Sequence, residues 1–133
     1  MLEMAVEYAK IREQFGRPIG SFQAIKHKCA DMLLAVESAT SAAYAVGWAI
    51  DAATADPEDD AANTEAGVLA SLAKAYCSEA YYQCAAENIQ IHGGIGFTWE
   101  HPAHLYYKRA KSSEIMFGTP RHHRARLADR LSM

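Results

Sequence analysis

The sequence predicts an all-α fold, a four-helix up-and-down bundle, and three observations support this prediction. Apolar residues recur at helical spacing through most of the chain, and short breaks rich in glycine and proline separate the periodic segments. Half of the 133 residues are hydrophobic and 22% are charged, which is typical of a folded domain. A chain of this length buries roughly two-thirds of the surface that its unfolded form exposes. We therefore expect one self-contained domain over residues 1–133, with no strand.

The first helix is predicted over residues 1–15 and ends at the break 16–20, where glycine and proline disfavour a helix. Ser21 is the predicted N-cap of a second helix over residues 22–53. Two heptad positions of this helix are apolar throughout, as in the seam of a bundle. They are Phe22, Cys29, Val36, Ala43 and Ile50, and Ile25, Met32, Ala39, Val46 and Ala53.

An acidic loop over residues 56–60 separates the second helix from a third, predicted over residues 61–91. Its carboxylates are expected to serve the turn and the start of the third helix, where they complement the helix dipole. The loop lacks the ligand spacing and central glycine of a calcium loop. Glycine after His92 is expected to end the third helix at positive φ. A fourth helix is predicted over residues 102–115, a break over 118–120, and a short last helix over 121–131.

Charge and composition exclude several classes of partner. The net charge of −3 gives no reason to expect nucleic acid or an anionic membrane. No apolar run approaches the roughly 20 residues of a membrane span. An odd number of cysteines, in no metal-ligand spacing, favours reduced thiols in the cytoplasm. The histidine pairs lack completing ligands, so no metal site is expected at His101 and His104 or at His122 and His123.

Three breaks in the helical pattern carry polar side chains suited to a dinucleotide. Arg12 offers a guanidinium fork for phosphate oxygens, and Phe15 offers a flat apolar face. Gln23 and Gln90 offer amides, and glycines let a ligand approach the backbone closely. Each segment alone is more typical of an ordinary helix cap or surface charge. The run Gly94-Ile-Gly96 is not a Rossmann fingerprint, because it lacks a third glycine and ends a helix.

The order of these segments resembles the C-terminal domain of the acyl-CoA dehydrogenase family. The matching stretches are YAKIREQFGRPIGSFQAI, a long helix, NIQIHGGIGFTWEHPAHLYYKRAK and FGT, and they cover essentially the whole chain. In that family an N-terminal helical domain and a middle β-domain complete the subunit, and we expect both to be absent from this chain. Subunits of the family usually form tetramers through these bundles, with FAD between subunits. We therefore expect a homo- or hetero-oligomer formed through the helical bundle.

The resemblance implies eight cofactor-binding positions at or near the three breaks. They are Arg12 at the pyrophosphate of a neighbouring subunit's FAD, Gln14 and Phe15 beside it, Gln23 near the same cofactor, Gln90, Gly93 and Gly94 along the adenosine diphosphate portion, and Thr119 at the flavin of its own subunit. The FAD is expected to be shared with other domains or subunits and not to bind tightly to this chain alone.

The family reaction is the α,β-dehydrogenation of an acyl-CoA thioester. A glutamate removes the α-proton, a hydride passes to the flavin, and an electron-transfer partner reoxidises the flavin. In many members that glutamate precedes the glycine-threonine of the last motif, where this sequence has Phe117. Phe117 cannot accept a proton, and the region that supplies the base in other members would precede Met1. No catalytic residue is therefore expected in this chain.

Two functions are compatible with these residues. In the first, the chain is inactive alone, and acyl-CoA and the electron-transfer partner concern only a complete enzyme. In the second, the chain is a non-enzymatic helical bundle for oligomerisation or partner binding, which would keep the fold and have lost contact with the flavin.

Overall fold

The computed structural model describes residues 1–132 and is helical over most of its length. This confirms the predicted all-α fold class. The two long helices begin and end within two residues of their predicted bounds. The α-helices are α1 (Leu2–Ile11), α2 (Gln23–Ala55), α3 (Asp60–His92), α4 (Ala103–Ile115) and α5 (Pro120–Arg130), with 3₁₀ turns at Ile19–Ser21 and Gly93–Phe97.

The chain divides into two compact units, each built from one half of the α2–α3 pair. The first unit comprises Met1–Val36 and Ala80–Ser113, and the second comprises Glu37–Glu79 and the residues from Glu114 onward. In the first unit the Cys84 thiol donates to the carbonyl of Met32 at 3.7 Å. In the second unit the Cys77 thiol donates to the carbonyl of Ala39 at 3.5 Å. Moving along α3 from Cys77 to Cys84, the partner in α2 moves back from Ala39 to Met32. Helices α2 and α3 therefore run antiparallel.

Small residues dominate the buried core, which lets neighbouring helices approach closely. Alanine supplies most of the buried hydrophobic positions, including Ala5 and Ala9 of α1 and Ala85 of α3. Met32 and Cys84 are among the largest fully buried side chains. Burial raises the pKa of the Cys84 thiol above its ordinary value, which keeps the thiol protonated and unreactive.

The predicted first helix was too long, and the prediction of no strand was wrong. Helix α1 ends at Ile11, and a short antiparallel hairpin follows, with β1 (Glu13–Gln14) paired to β2 (Arg17–Pro18). Phe15 and Gly16 form its two-residue turn with φ of 54° and 75°. Positive φ at both central positions is the signature of a type I′ turn, whose twist matches that of paired strands.

The helix caps agree with the sequence interpretation at two of three places. The Asp59 carboxylate accepts from the backbone N–H of Ala61 at 2.9 Å and of Ala62 at 3.1 Å, at the start of α3. Gly93 has φ of 62° where α3 ends. The prediction for Ser21 was wrong: its hydroxyl donates to the carbonyl of Pro18 at 2.7 Å within a 3₁₀ turn. The hydroxyl therefore points back toward the hairpin and not toward α2. Helix α2 begins two residues later, at Gln23.

Helix α2 is long and apolar enough, by length and composition alone, to cross a membrane. One such helix is weak evidence for a membrane span, so the sequence prediction of no span stays a prediction. Only 11% of its most apolar window is buried within this chain. Tyr44 and Trp48 lie on the exposed surface with their ring centroids 6.3 Å apart. The core helix of a bundle meets the same criteria, so length and composition do not distinguish the two cases.

Candidate functional site

The turn after α1 fixes the backbone of Arg12 and leaves its side chain open. The backbone N–H of Arg12 donates to the carbonyl of Tyr8 at 2.9 Å, which closes the last turn of α1. Its carbonyl accepts from the N–H of Ile19 at 2.7 Å, which ties the hairpin back to the helix. Its exposed guanidinium forms no hydrogen bond or ion pair within residues 1–132. An arginine held in this way is free to bind an anion in two-point geometry.

Phe15 lies at the tip of the hairpin, where the backbone is strained and the ring is exposed. A φ of 54° is unusual for a bulky residue and costs about 1–3 kcal/mol. The ring is 89% exposed and touches Phe22 edge-on, with centroids 6.1 Å apart. The Arg17 guanidinium lies 4.1 Å from the centre of the Phe22 ring. Burial within this chain does not offset the strain at Phe15, which is typical of a residue kept for contact with a ligand.

The end of α3 supplies the second predicted segment. Gln90 is exposed in the last turn of the helix, and Gly93 needs glycine because its φ is 62°. Gly94 needs glycine for neither of the usual reasons. Its φ lies outside the left-handed region, and a Cβ added there would meet no heavy atom within 4 Å. By contrast, a Cβ at Gly96 would lie 3.0 Å from the carbonyl oxygen of Ile89. Close approach of a ligand from outside would account for glycine at position 94.

Aromatic packing joins these two segments within the first unit. Tyr8, one helical turn before Arg12, stacks on His92 with centroids 4.3 Å apart. His92 directly precedes Gly93, and its Nδ1–H donates to the carbonyl of Asn88 at 2.7 Å. The Asn88 amide also contacts the Met4 sulfur at 3.4 Å. The C-terminal ends of α1 and α3 therefore lie together, as a shared site requires.

The other two predicted positions of the first unit are less constrained. Gln14 is exposed in β1 opposite Arg17, and Gln23 is the exposed first residue of α2. No hydrogen bond within residues 1–132 joins either side chain to another predicted position. Their place in the site stays a prediction.

Comparison with known proteins assigns the chain to a family. Residues 1–132 match the family described as acyl-CoA dehydrogenase, C-terminal domain. The chain therefore belongs to the acyl-CoA dehydrogenase family. Acyl-CoA dehydrogenase IpdE2 of Mycobacterium tuberculosis is 43% identical over 120 residues, which are 90% of this chain and 33% of that protein. The chain thus spans about a third of the length of this relative.

Solved structures with a similar backbone extend the comparison. The ChsE4–ChsE5 complex of Mycobacterium tuberculosis matches with a TM-score of 0.85 and 32% identity, over 98% of this chain and 33% of the other. The FAD complex of PigA matches with a TM-score of 0.84 and 28% identity, over 98% of this chain and 32% of the other. The first of these structures contains two different proteins, and the second contains FAD.

The third predicted segment of this acyl-CoA dehydrogenase domain lies in the second unit, whereas the other seven positions belong to the first. The Thr119 hydroxyl accepts from the N–H of His122 at 3.3 Å and caps α5. Phe117, at the position that the family resemblance gives to the base, has φ of 62° and is 86% exposed. His123 is buried and its Nε2 lies 2.9 Å from the carbonyl oxygen of Phe117. The turn therefore presents an apolar ring, with no proton acceptor, at position 117.

Two features of the first unit were missed by the sequence interpretation. One is a stack of rings in which His92 also packs against His101, with centroids 4.4 Å apart. The other is a cavity beside the last turn of α3, lined by Gln90 and by α4 residues such as Lys108. In the sequence Phe97 and Trp99 are two aromatic residues close together, and their joint exposure at the cavity is visible only in the structure. Within residues 1–132 no group of three or more histidine, cysteine or acidic side chains is placed to hold a metal ion.

Proposed function

We propose that this chain supplies part of an FAD-binding site to an acyl-CoA dehydrogenase assembly. The supporting observation is the open end of the first unit. It combines a backbone-fixed guanidinium at Arg12 that is unpaired within residues 1–132, a strained and exposed ring at Phe15, and a glycine at position 94 that no contact among these described residues requires. The family match over residues 1–132 gives the same assignment to a C-terminal domain.

The residues at this end suit the parts of FAD that would lie against them. Arg12 would pair with the pyrophosphate, and the exposed face of Phe15 would pack beside it. Gln90 and the backbone at Gly93 and Gly94 would line the adenosine diphosphate portion, because the open glycine faces allow close approach. Gln14 and Gln23 would lie beside the same cofactor, which a neighbouring subunit holds. Thr119, in the second unit, would contact the flavin of its own subunit instead.

When bound, FAD would supply the hydride acceptor for α,β-dehydrogenation of an acyl-CoA thioester. The chain's own residues would bind and orient the cofactor, and the apolar ring of Phe117 would help to exclude water from its surroundings. Because the family-equivalent position 117 offers no proton acceptor, the carboxylate base would come from another domain or subunit. The acyl-CoA substrate and the electron-transfer partner therefore belong to the complete assembly.

A homo- or hetero-oligomer would bring the missing groups to this site. The two-protein ChsE4–ChsE5 complex shows that a relative with this backbone assembles with a second, different chain. We propose the same principle here, with FAD shared between this chain and another domain or subunit. The cytoplasmic location and the lack of nucleic-acid binding stay predictions.

The alternative is a bundle used only for oligomerisation or partner binding. It would leave the free guanidinium of Arg12, the strain at Phe15 and the glycine at position 94 without a function. The family match does not favour it.

Co-expression with a full-length member of the family tests the proposal. The purified complex is expected to retain a visible flavin spectrum, and an acyl-CoA added without oxygen is expected to bleach it. The control is the full-length relative expressed alone under the same conditions. A chain that forms no complex and adds no flavin would contradict the proposal and favour the non-enzymatic bundle.

A further inference from the structure

A cavity of about 480 Å³ lies entirely within the first unit, between the last turns of α3 and the segment that leads into α4. Ile89, Phe97 and Trp99 form apolar walls, whereas Gln90, His104 and Lys108 supply the polar groups. Of the eight positions proposed for FAD, only Gln90 lines this cavity. Its volume falls within the roughly 300–1,000 Å³ of small-molecule sites.

The two aromatic walls are unusually open to solvent. Phe97 is 81% exposed and Trp99 is 83% exposed. Both rings line the same cavity, so the cavity has two exposed aromatic walls. Flat walls favour a flat ligand, because stacked or edge-on rings gain more than area burial alone provides.

Two polar side chains of the cavity, His104 and Lys108, make no hydrogen bond or ion pair with a described residue, and Lys108 is exposed to solvent. The Nδ1 atom of His104 is buried and has no hydrogen-bond partner within residues 1–132, although its ring packs edge-on against Trp99 at 5.0 Å. Leaving such an atom unpaired costs free energy unless a ligand or water pairs with it. The ammonium of Lys108 lies 4.1 Å from the centre of the Trp99 ring. It forms no ion pair with a described residue.

We propose that this cavity binds a small, flat, ring-containing carboxylate. The ring would pack against Phe97 and Trp99, and the carboxylate would pair with Lys108. The exposed Gln90 amide would complete the hydrogen bonds at the polar side. A plain hydrocarbon chain would gain no charged contact with Lys108 and no ring stacking, which favours a ring-containing carboxylate. This inference does not depend on FAD binding.

The probe is 2-naphthoate, titrated into the full chain carrying Trp48→Phe. Trp99 is then the remaining tryptophan, so its fluorescence reports the cavity directly. Saturable quenching is expected, and the neutral 2-naphthamide is expected to bind about tenfold more weakly, because a charged hydrogen bond is lost. Lys108→Gln is expected to weaken naphthoate binding by about tenfold or more.

Arg109→Gln is the matched control, since it removes the same charge from the next residue of α4, which does not line the cavity. It should change the dissociation constant by less than about twofold. Far-UV circular dichroism checks the fold of each variant, and Lys108→Met, which keeps the apolar stem, replaces Lys108→Gln if the latter unfolds.

Four outcomes would overturn the inference. They are non-saturable quenching, equal binding of the naphthamide, equal effects at Lys108 and Arg109, and tighter binding of adenosine monophosphate than of naphthoate. Flavin absorbance in the co-expressed complex is a separate readout. Loss of flavin with retained naphthoate binding would reject the proposed function alone. Retained flavin without naphthoate binding would reject this inference alone.

Discussion

Replacing Gly94 with alanine separates cofactor binding from folding. A Cβ at this position meets no heavy atom within 4 Å, and the backbone φ is one that alanine adopts freely. The substitution therefore has no steric cost within the chain, and it reduces the freedom of the unfolded state. We expect the free energy of unfolding to rise by about 0.4–1 kcal/mol, or the melting temperature to rise by about 1–5 °C for a domain of this size.

Gly96→Ala is the matched control and should have the opposite effect on stability. Its Cβ would lie 3.0 Å from both the His92 Cβ and the carbonyl oxygen of Ile89. Overpacking of this kind costs about 1–3 kcal/mol. Urea unfolding followed by circular dichroism measures both variants, and flavin absorbance of the co-expressed complex measures binding. Gly94→Ala should lower flavin retention while keeping the fold. A Gly94→Ala chain that loses more than about 1 kcal/mol, or that retains flavin like the wild type, would refute the reasoning.

Three further substitutions test other parts of the structure. Asparagine tolerates the positive φ at position 15 better than phenylalanine does. Phe15→Asn should therefore stabilise the chain by about 1 kcal/mol in urea unfolding and lower flavin retention in the complex. A loss of stability would contradict the claim that the backbone at Phe15 is strained. Burial lowers the pKa of His101, as do the nearby His92 and His104. The unfolded chain therefore takes up this proton first, and stability should fall as the pH drops below about 6.5. If His101 is responsible, the melting temperature of His101→Gln should fall less than that of the wild type as the pH drops below about 6.5. Identical pH profiles of the two proteins would exclude this histidine. Met32→Ala should cost about 2–5 kcal/mol in urea unfolding, because Met32 is 2% exposed, and a cost below about 1 kcal/mol would show that its surroundings collapse to fill the space.

The long helices could be predicted from the sequence because their apolar pattern extends over several heptads. In α2 the apolar residues recur over several heptads, which predicts the helix and its bounds. They do not all mark its buried face, because Val36 and Ile50 are exposed whereas Ala35 and Ala49 are buried. The hairpin after α1 could not be predicted in the same way. Its type I′ turn normally carries asparagine or aspartate before glycine, and Phe15 in that position gave no turn signal.

Part of the candidate site could also be predicted from the sequence, and part could not. The breaks at Arg12 and Gly93 are visible as local sequence features. Their order along the chain resembles the family, and this resemblance assigned them to the cofactor. Which glycine is needed for the fold and which is open cannot be seen in the sequence, because Gly94 and Gly96 differ only in their three-dimensional neighbours. The cavity was missed for the same reason, since Ile89 and Lys108 come together only through packing of α3 against α4.

The affinity of the assembled protein for FAD tests the central claim most directly, with Arg12→Gln compared with Arg17→Gln. Both arginines are exposed and flank the same hairpin, but Arg17 lies over Phe22 whereas Arg12 has no partner within residues 1–132. Calorimetric titration of the flavin-depleted complex should give a dissociation constant raised about 10- to 100-fold by Arg12→Gln, as expected for a lost charged contact, and changed less than about threefold by Arg17→Gln. Equal effects of the two substitutions, or no effect of Arg12→Gln, would contradict the assignment of this end of the bundle to FAD.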